Sequence, residues 1–362
     1  MKRDGPLREG FTTGTAASGA AKAAALLLLT GRAPAAVDVP LPGGGRMTLA
    51  VAVAELRDGA AFAGVVKDGG DDPDVTHGAL IGCLVSRLAA AGPGEVLVAG
   101  GEGVGRVTLP GLPVAVGQAA INPAPRAQIA AAVAEAAQAA GYAGGLAAVV
   151  SVAGGEAMAR KTLNPRLGIV GGISILGVSG IVRPFSHQAW EASIAEALDV
   201  ARALGHPVAG FSTGRRSEAL LRRARPDLPE TACVQAADCF AFAQAEAARR
   251  GFEEIVWAVF VGKLVKMAQG LANTHARRGD TDFSALSGWC AAAGWPGPLA
   301  RQAGQANTAR HAFDMAPTPR DKTALAEVLA KEALSHMRRF AGQGPRLTLL
   351  VFDFDGGRLA EA

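Results

Sequence analysis

The sequence predicts two folded parts: an α+β domain over residues 1–143 and a Rossmann-like α/β domain with a mostly parallel sheet over residues 144–362, with an active-site cleft between them. Three observations lead there. The chain has 362 residues, 49% hydrophobic and 19% charged, which is enough apolar material for two cores and too much for disorder. Before about Gly141 helical and strand-like runs are mixed, whereas from Gly145 onward short apolar runs alternate with helical ones, as in a parallel sheet. The pattern Phe-[Ser/Thr]-Thr-Gly-[Thr/Arg] also occurs twice, at Phe11 and at Phe211, each time where a strand gives way to a helix.

In chain order, Thr15 to Leu29 reads as a buried helix rich in alanine, followed by strands in "RMTLAVAVAEL" and "GAAFAGVVKD" and a helix from about Pro73 to Ala90. "EVLVAGGEGVGRVTLPG" reads as strand, glycine turn and strand. "PAPRAQIAAAVAEAAQAAG" reads as a helix with proline in its first turn and Gly141 past its end, and a boundary follows at Gly141 to Gly145. Beyond it the strand candidates are "LAAVVSVAG", "GGISILGVSG", "PVAGFSTG", "TACVQAAD", "EEIVWAVFV" and "RLTLLVFDFDG". The helices between them are "SHQAWEASIAEALDVARALG", "SEALLRRA", "DCFAFAQAEAARRG", "LVKMAQGLANTHARRG" and "KTALAEVLAKEALSHMRRF". In such a sheet ligands bind beyond the carboxyl ends of the strands.

Composition narrows the function. The formal net charge is +4, arginines are scattered and only 5% of residues are aromatic, so the balance favours a small anionic molecule over nucleic acid. The apolar run Ala23 to Leu29 is far shorter than the roughly 20 residues that span a bilayer, so no membrane partner is expected. The first residues lack the apolar core of a secretory signal, and a cytoplasmic location is expected. Cys83, Cys233, Cys239 and Cys290 are isolated from one another, which points to buried reduced thiols.

Five stretches carry chemistry. "GGEGVG", Gly100 to Gly105, runs into a strand-like "RVTLPG" and reads as a hairpin turn rather than a dinucleotide loop. "KDGGDDPDVTHG" gathers Asp68, Asp71, Asp72, Asp74 and His77; Asp72 before Pro73 reads as a helix N-cap, with a polar active-site wall as the alternative. "ARKTLNPRLGIVGGISILGVSGIVRPFS" sets Lys161, Asn164, Arg166 and Arg183 around Gly171, Gly172, Gly177 and Gly180, glycines that suit close approach of a ligand or tight packing of backbone. "FSTGRRSE" places Ser212, Thr213 and Gly214 at the end of a strand and Arg215, Arg216 and Ser217 at the start of a helix. The free N–H groups and arginines there suit carboxylate or phosphate, the alternative being a capping serine with solvated arginines. "GKLVKMAQGLANTHARRGDTDF" puts Lys263 at a helix opening, with Lys266, Asn273, Arg277 and Arg278 behind it; His275 could be a general base or an ordinary cap.

Taken in order, "FTTGTAASGAAKAA", "KDGGDDPDVTHG", "GEGVGRVTLPGL", "AINPAPR", "KTLNPRLGIVGGISILGVSGIVRP", "FSTGRRSE" and "GKLVKMAQGLANTHARRGDTDF" resemble the cobalt-precorrin-5B (C1)-methyltransferase family of the oxygen-independent cobalamin pathway. The resemblance runs from about Gly10 to Asp282, and the segment from Pro296 carries little that is distinctive. One departure is Ala16, where the family's first motif usually has cysteine, so no thiol chemistry is assigned there. The resemblance implies transfer of a methyl group from S-adenosylmethionine to ring carbon C1, giving cobalt-precorrin-6A.

It implies a corrinoid substrate whose cobalt belongs to the ring, and no protein-bound metal is expected. A homo-oligomer is compatible with the sequence. Within this reading the adenosylmethionine side is assigned to Gly171, Gly172, Ser174, Gly177, Ser179 and Gly180. The macrocycle is assigned to Thr12, Thr13, Asp71, Asp72, Lys161, Asn164, Arg183, Ser212, Thr213, Gly214, Arg215, Arg216, Lys263 and Asn273, with His275 as the candidate catalytic group. The two ligand sets are exchangeable without contradicting the sequence. The rivals are a phosphate-ester enzyme, disfavoured by the missing P-loop lysine, and a noncatalytic tetrapyrrole carrier.

Overall fold

The computed structural model describes residues 6–89, 92–275 and 279–362, and the chain divides into two compact units between Ser186 and His187. In the first unit a two-residue strand β1 (Gly10–Phe11) leads into α1 (Thr13–Thr30). Thr12 caps α1 by accepting the Thr15 N–H, and Gly31 ends it at φ 72°, a conformation glycine adopts without penalty. Then come β2 (Ala36–Pro40), β3 (Arg46–Ala50), β4 (Val53–Arg57), β5 (Ala60–Val66), β6 (Leu80–Leu88), β7 (Val96–Gly100) and β8 (Arg106–Val107). The unit finishes with α2 (Pro123–Ala139), β9 (Gly145–Val152), α3 (Gly155–Ala159), β10 (Ile169–Val170) and β11 (Ile181–Val182).

The principal sheet of this unit has the order β4-β5-β6-β9-β7, antiparallel except for the β7–β9 pair. Helix α1 packs on β5, β6 and α2, and its alanines at 16, 17, 20, 21, 23, 24 and 25 are wholly buried. Side chains this small let the backbones approach closely, so α1 is buried on nearly every side. Leu56 and Leu97 remain exposed, as on an antiparallel sheet with one wet face.

The expected boundary at residues 143/144 is corrected by β9. "GLAAVVSV" pairs with both β6 and β7 inside the first sheet, and Gly141, at φ 65°, closes α2 rather than opening a linker. Of the helix expected from Pro73 to Ala90, the described residues form instead a loop and strand β6, and Ala90 lies outside them. "LIGCLVSRL" is too short an apolar run for periodicity to separate helix from strand, and pairing with β5 and β9 decides it. "GGEGVG" is not a hairpin turn, since β7 pairs with β9 and β8 with β10. "GGISILGVSG" belongs to the first unit and makes only isolated bridges, Ile173 to Val104 and Ile175 to Ile121.

The second unit contains α4 (His187–Ala203), β12 (Val208–Ser212), α5 (Arg215–Ala224), β13 (Cys233–Gln235), α6 (Phe240–Arg249), β14 (Glu254–Phe260) and α7 (Val261–Ala268). After these come α8 (Phe283–Ala292), α9 (Gly297–Ala303), α10 (Ala309–Asp314), α11 (Pro319–Ala341), β15 (Arg346–Phe352) and β16 (Arg358–Glu361). Its sheet has the order β13-β12-β14-β15-β16, parallel throughout except for the terminal β15–β16 pair. Phe211 and Trp257 face a core shared with α4, α6, α7 and α11, while Val256, Ala258 and Leu350 pack with Leu221 of α5 on the opposite face. Strand β14 is buried along almost its whole length, as expected of a parallel strand covered on both sides.

Candidate active site

In the first unit three of the singled-out strings meet at β1. Gly10 and Phe11 pair with Val182 and Ile181, and the Phe11 N–H donates to the Asp68 carbonyl at 2.9 Å. A Cβ built on Gly10 would lie 2.4 Å from the Asp68 carbonyl oxygen, so the two chains cross where neither has room for a side chain. Arg8 pairs with Asp68, whose carboxyl is thereby held down at about 2, and the Arg8 N–H donates to Asp71 at 2.8 Å. Asp72 is not a helix cap; its carboxylate accepts the Phe185 N–H at 2.9 Å and ties the loop to the end of β11. Arg183 donates to Glu9 at 3.1 Å and is otherwise largely exposed.

Thr12 and Thr13 are buried, and the Thr12 N–H and the Thr15 hydroxyl both donate to the Gly180 carbonyl, at 3.0 and 2.9 Å. The glycines assigned to the methyl donor are largely explained by the protein itself. Gly172 lies against Gly103, where a Cβ would be 2.3 Å from the carbonyl oxygen; Gly177 faces Thr12, and Gly180 faces Leu41, Pro42 and Thr15. Only Gly171 of that set has open space before it, at φ 79°. Asn164 is buried and donates to the Gly172 carbonyl at 3.3 Å, with Ser174 donating to its oxygen at 3.3 Å; Ser179 bonds Ile181 in an exposed turn. Lys161 is exposed and makes no ion pair among the described residues.

The second unit gathers the other assigned residues at the carboxyl edge of its sheet. Ser212 ends β12 with a fully buried hydroxyl that has no hydrogen-bond partner among the described residues. Thr213 donates its N–H to Ser217 at 3.0 Å, inside the first turn of α5. Gly214 precedes that helix in extended backbone with no side-chain cap. Arg215 and Arg216 are both exposed; Arg216 reaches the Phe354 carbonyl at 2.7 Å and stacks over Phe260. Lys263, in the first turn of α7, is ion-paired with Asp238, the acid that follows β13.

Asp238 also accepts the Thr274 hydroxyl at 2.8 Å. Burial pushes its carboxyl up, but the hydrogen bonds from Lys263 and Thr274 and the neighbouring positive charges outweigh it and hold the group below the usual carboxylate range. Helix α7 ends at Ala268, so Asn273 and His275 stand on a loop and not on the helix the sequence suggested. Asn273 accepts the His275 N–H at 3.0 Å and bonds the ring of His187, whose other nitrogen lies 3.7 Å from the Cys239 sulfur. Burial, with the nearby Lys263 charge, lowers the Lys266 ammonium, and that group donates to the Gly279 carbonyl at 2.9 Å. Arg277 and Arg278 lie outside the described residues.

Comparison with known proteins then fixes the family. The profile of the CbiD family matches residues 1–184, and that of the CbiD C-terminal domain matches residues 273–362. A curated relative from Nitratidesulfovibrio vulgaris, cobalt-precorrin-5B C(1)-methyltransferase, is 53% identical over 98% of this chain and 93% of its own length. The chain belongs to the CbiD family. A relative of the same name from Salinispora arenicola is 44% identical over 98% of this chain and 92% of its own length. The solved structure of the cobalamin biosynthesis protein CbiD from Archaeoglobus fulgidus is 30% identical, covers 74% of this chain and 81% of that one, and superposes with a TM-score of 0.41.

The CbiD C-terminal profile covers the segment beyond Pro296 in which no distinctive motif was visible. Residues that motif reading passed over are now prominent. Asp238 was legible as an acid at the end of a strand, "VQAAD", but stands outside any glycine-rich string. His187 and Thr274 had no signal, because their importance lies in partners 86 residues and 36 residues away.

Proposed function

We propose that this chain transfers a methyl group from S-adenosylmethionine to ring carbon C1 of cobalt-precorrin-5B, giving cobalt-precorrin-6A. The observation that carries this reading is 53% identity across nearly the whole chain to a protein of that name. The second unit is read as Rossmann-like on its parallel strand order β13-β12-β14-β15.

S-adenosylmethionine supplies a methyl group that is already activated, so no strong general base is demanded of the protein. What the chain contributes is alignment and exclusion of water, an effect that reaches about 7–11 kcal/mol in well-oriented reactions. For the ring, the segment from Leu176 to Phe185 offers exposed apolar side chains at Leu176, Val178 and Phe185 beside the Arg183 guanidinium, and Lys161 is a second cation open to solvent. An apolar macrocycle edged with carboxylates matches that combination.

The test is anaerobic incubation of the purified protein with cobalt-precorrin-5B and methyl-labelled S-adenosylmethionine. Label at ring C1 is expected. Tight ring binding without label would make the protein a carrier, and affinity for neither molecule would overturn the reading.

A further inference from the structure

Among the described residues four glycines have neither a neighbour at the Cβ position nor a left-handed φ, and two of them stand at the carboxyl edge of the second unit's sheet. Gly214 follows β12 and Gly262 follows β14; a Cβ on either would meet nothing within 4 Å, and neither has a left-handed φ. Both positions would be better served structurally by another residue. Serine or aspartate at position 214 would cap α5, and alanine at position 262 would favour the first turn of α7. Gly288 and Gly344 share this freedom, but one lies within α8 and the other precedes β15 at the amino edge of the sheet.

The two unexplained glycines mark one place in the topology. The chain leaves β12 for β13 on one side and then returns to β14 on the other, so the connections diverge between the carboxyl ends of β12 and β14. Open sheets bind ligands at that point, because the diverging loops leave a crevice there. Three further observations fall at the same edge. The Ser212 hydroxyl, wholly buried, lacks a partner among the described residues. Asp238 follows the adjacent strand β13 by three residues, partly exposed and bonded by Lys263 and Thr274, where a carboxylate can accept from a ribose diol. Arg215, beside Gly214, is exposed.

We infer that the adenosyl donor docks at this edge, its ribose toward Asp238, its backbone-hugging approach made over Gly214 and Gly262, and its amino-acid carboxylate within reach of Arg215. This rests on the methyltransferase reading and moves the donor away from the Gly171 to Gly180 segment, whose glycines are mostly filled by the protein's own atoms.

The experiment measures binding of S-adenosylhomocysteine by titration calorimetry to the parent, to Gly214→Val and to Gly262→Val, with thermal midpoints recorded in parallel. Open space at both positions predicts folded variants with near-parental midpoints and affinity reduced about tenfold or more. Folded variants that bind like the parent would overturn the placement and leave the methyltransferase reading standing; a parent that does not bind would overturn the reading and the placement together. Ultraviolet cross-linking of methyl-tritiated S-adenosylmethionine to the unmodified chain gives an answer independent of the variants. Label on peptides from residues 208–275 is expected, and label confined to residues 155–186 would sink the inference.

Discussion

Lys67 is buried, with only 1% of the residue exposed, and Asp74, seven residues on, is its ion-pair partner. Burial pushes the Asp74 carboxyl up, but the Lys67 charge and hydrogen bonds from Lys67 and Thr76 bring it below its ordinary value. Asp74→Asn removes the countercharge and leaves a buried cation, which should lower stability by about 3–5 kcal/mol in urea unfolding. The double variant Lys67→Met with Asp74→Asn should recover more than half of that loss, and a single variant as stable as the parent would show the pair to be idle. In the string "KDGGDDPDVTHG" the acids attracted attention and the lysine did not, since lysines are mostly exposed and nothing local announces this burial. Glycines pose the matching difficulty. Sequence shows that Gly172 lacks a side chain, but only the fold shows that Gly103 and not a ligand takes the space.

Among the elements, β14 shows how a buried strand end is made tolerable. Glu254 opens it with its side chain only 5% exposed, bonded by Arg225 at 3.1 Å, by Thr348 at 2.9 Å and by Arg346 at 2.6 Å. Burial raises the Glu254 carboxyl and these three donors lower it further than burial raises it, so its folded value lies below the ordinary 4.5. A group depressed in this way stabilises the fold fully above its unfolded value, and that contribution is lost as pH falls through the folded one. Urea midpoints should therefore fall from pH 5 to pH 3, and Glu254→Gln should flatten part of that slope; an unchanged slope would remove Glu254 from the acid response. Elements with strong local signals, such as α1, α2, α6, α11 and strands β12 to β15, were legible in the sequence. Strand β6 was not, because nine apolar-rich residues satisfy either period and only its partners β5 and β9 choose between them.

At the scale of the whole molecule, two architectures in one chain were predictable from the change of rhythm along it, but the dividing point was not. "GLAAVVSV" looks like the opening strand of a parallel sheet, and it is long-range pairing with Leu80–Leu88 that assigns it to the first unit. The gathering of Ser212, Gly214, Asp238 and Lys263 at one sheet edge was half visible, since strand ends could be located while the strand order could not. Both units share one further property: Cys83 in the first and Cys233, Cys239 and Cys290 in the second are all buried and unbridged. Burial raises the Cys83 thiol far above its ordinary value and the Cys290 thiol to about 11, so neither offers thiolate at neutral pH. The native protein should then react slowly with iodoacetamide, and peptide-resolved mass spectrometry of the alkylated fraction over time becomes a clock for opening, read separately at Cys83 and at Cys290. Equal, rapid modification of both without denaturant would contradict the burial; unequal slow rates would rank the two units by how often each one breathes.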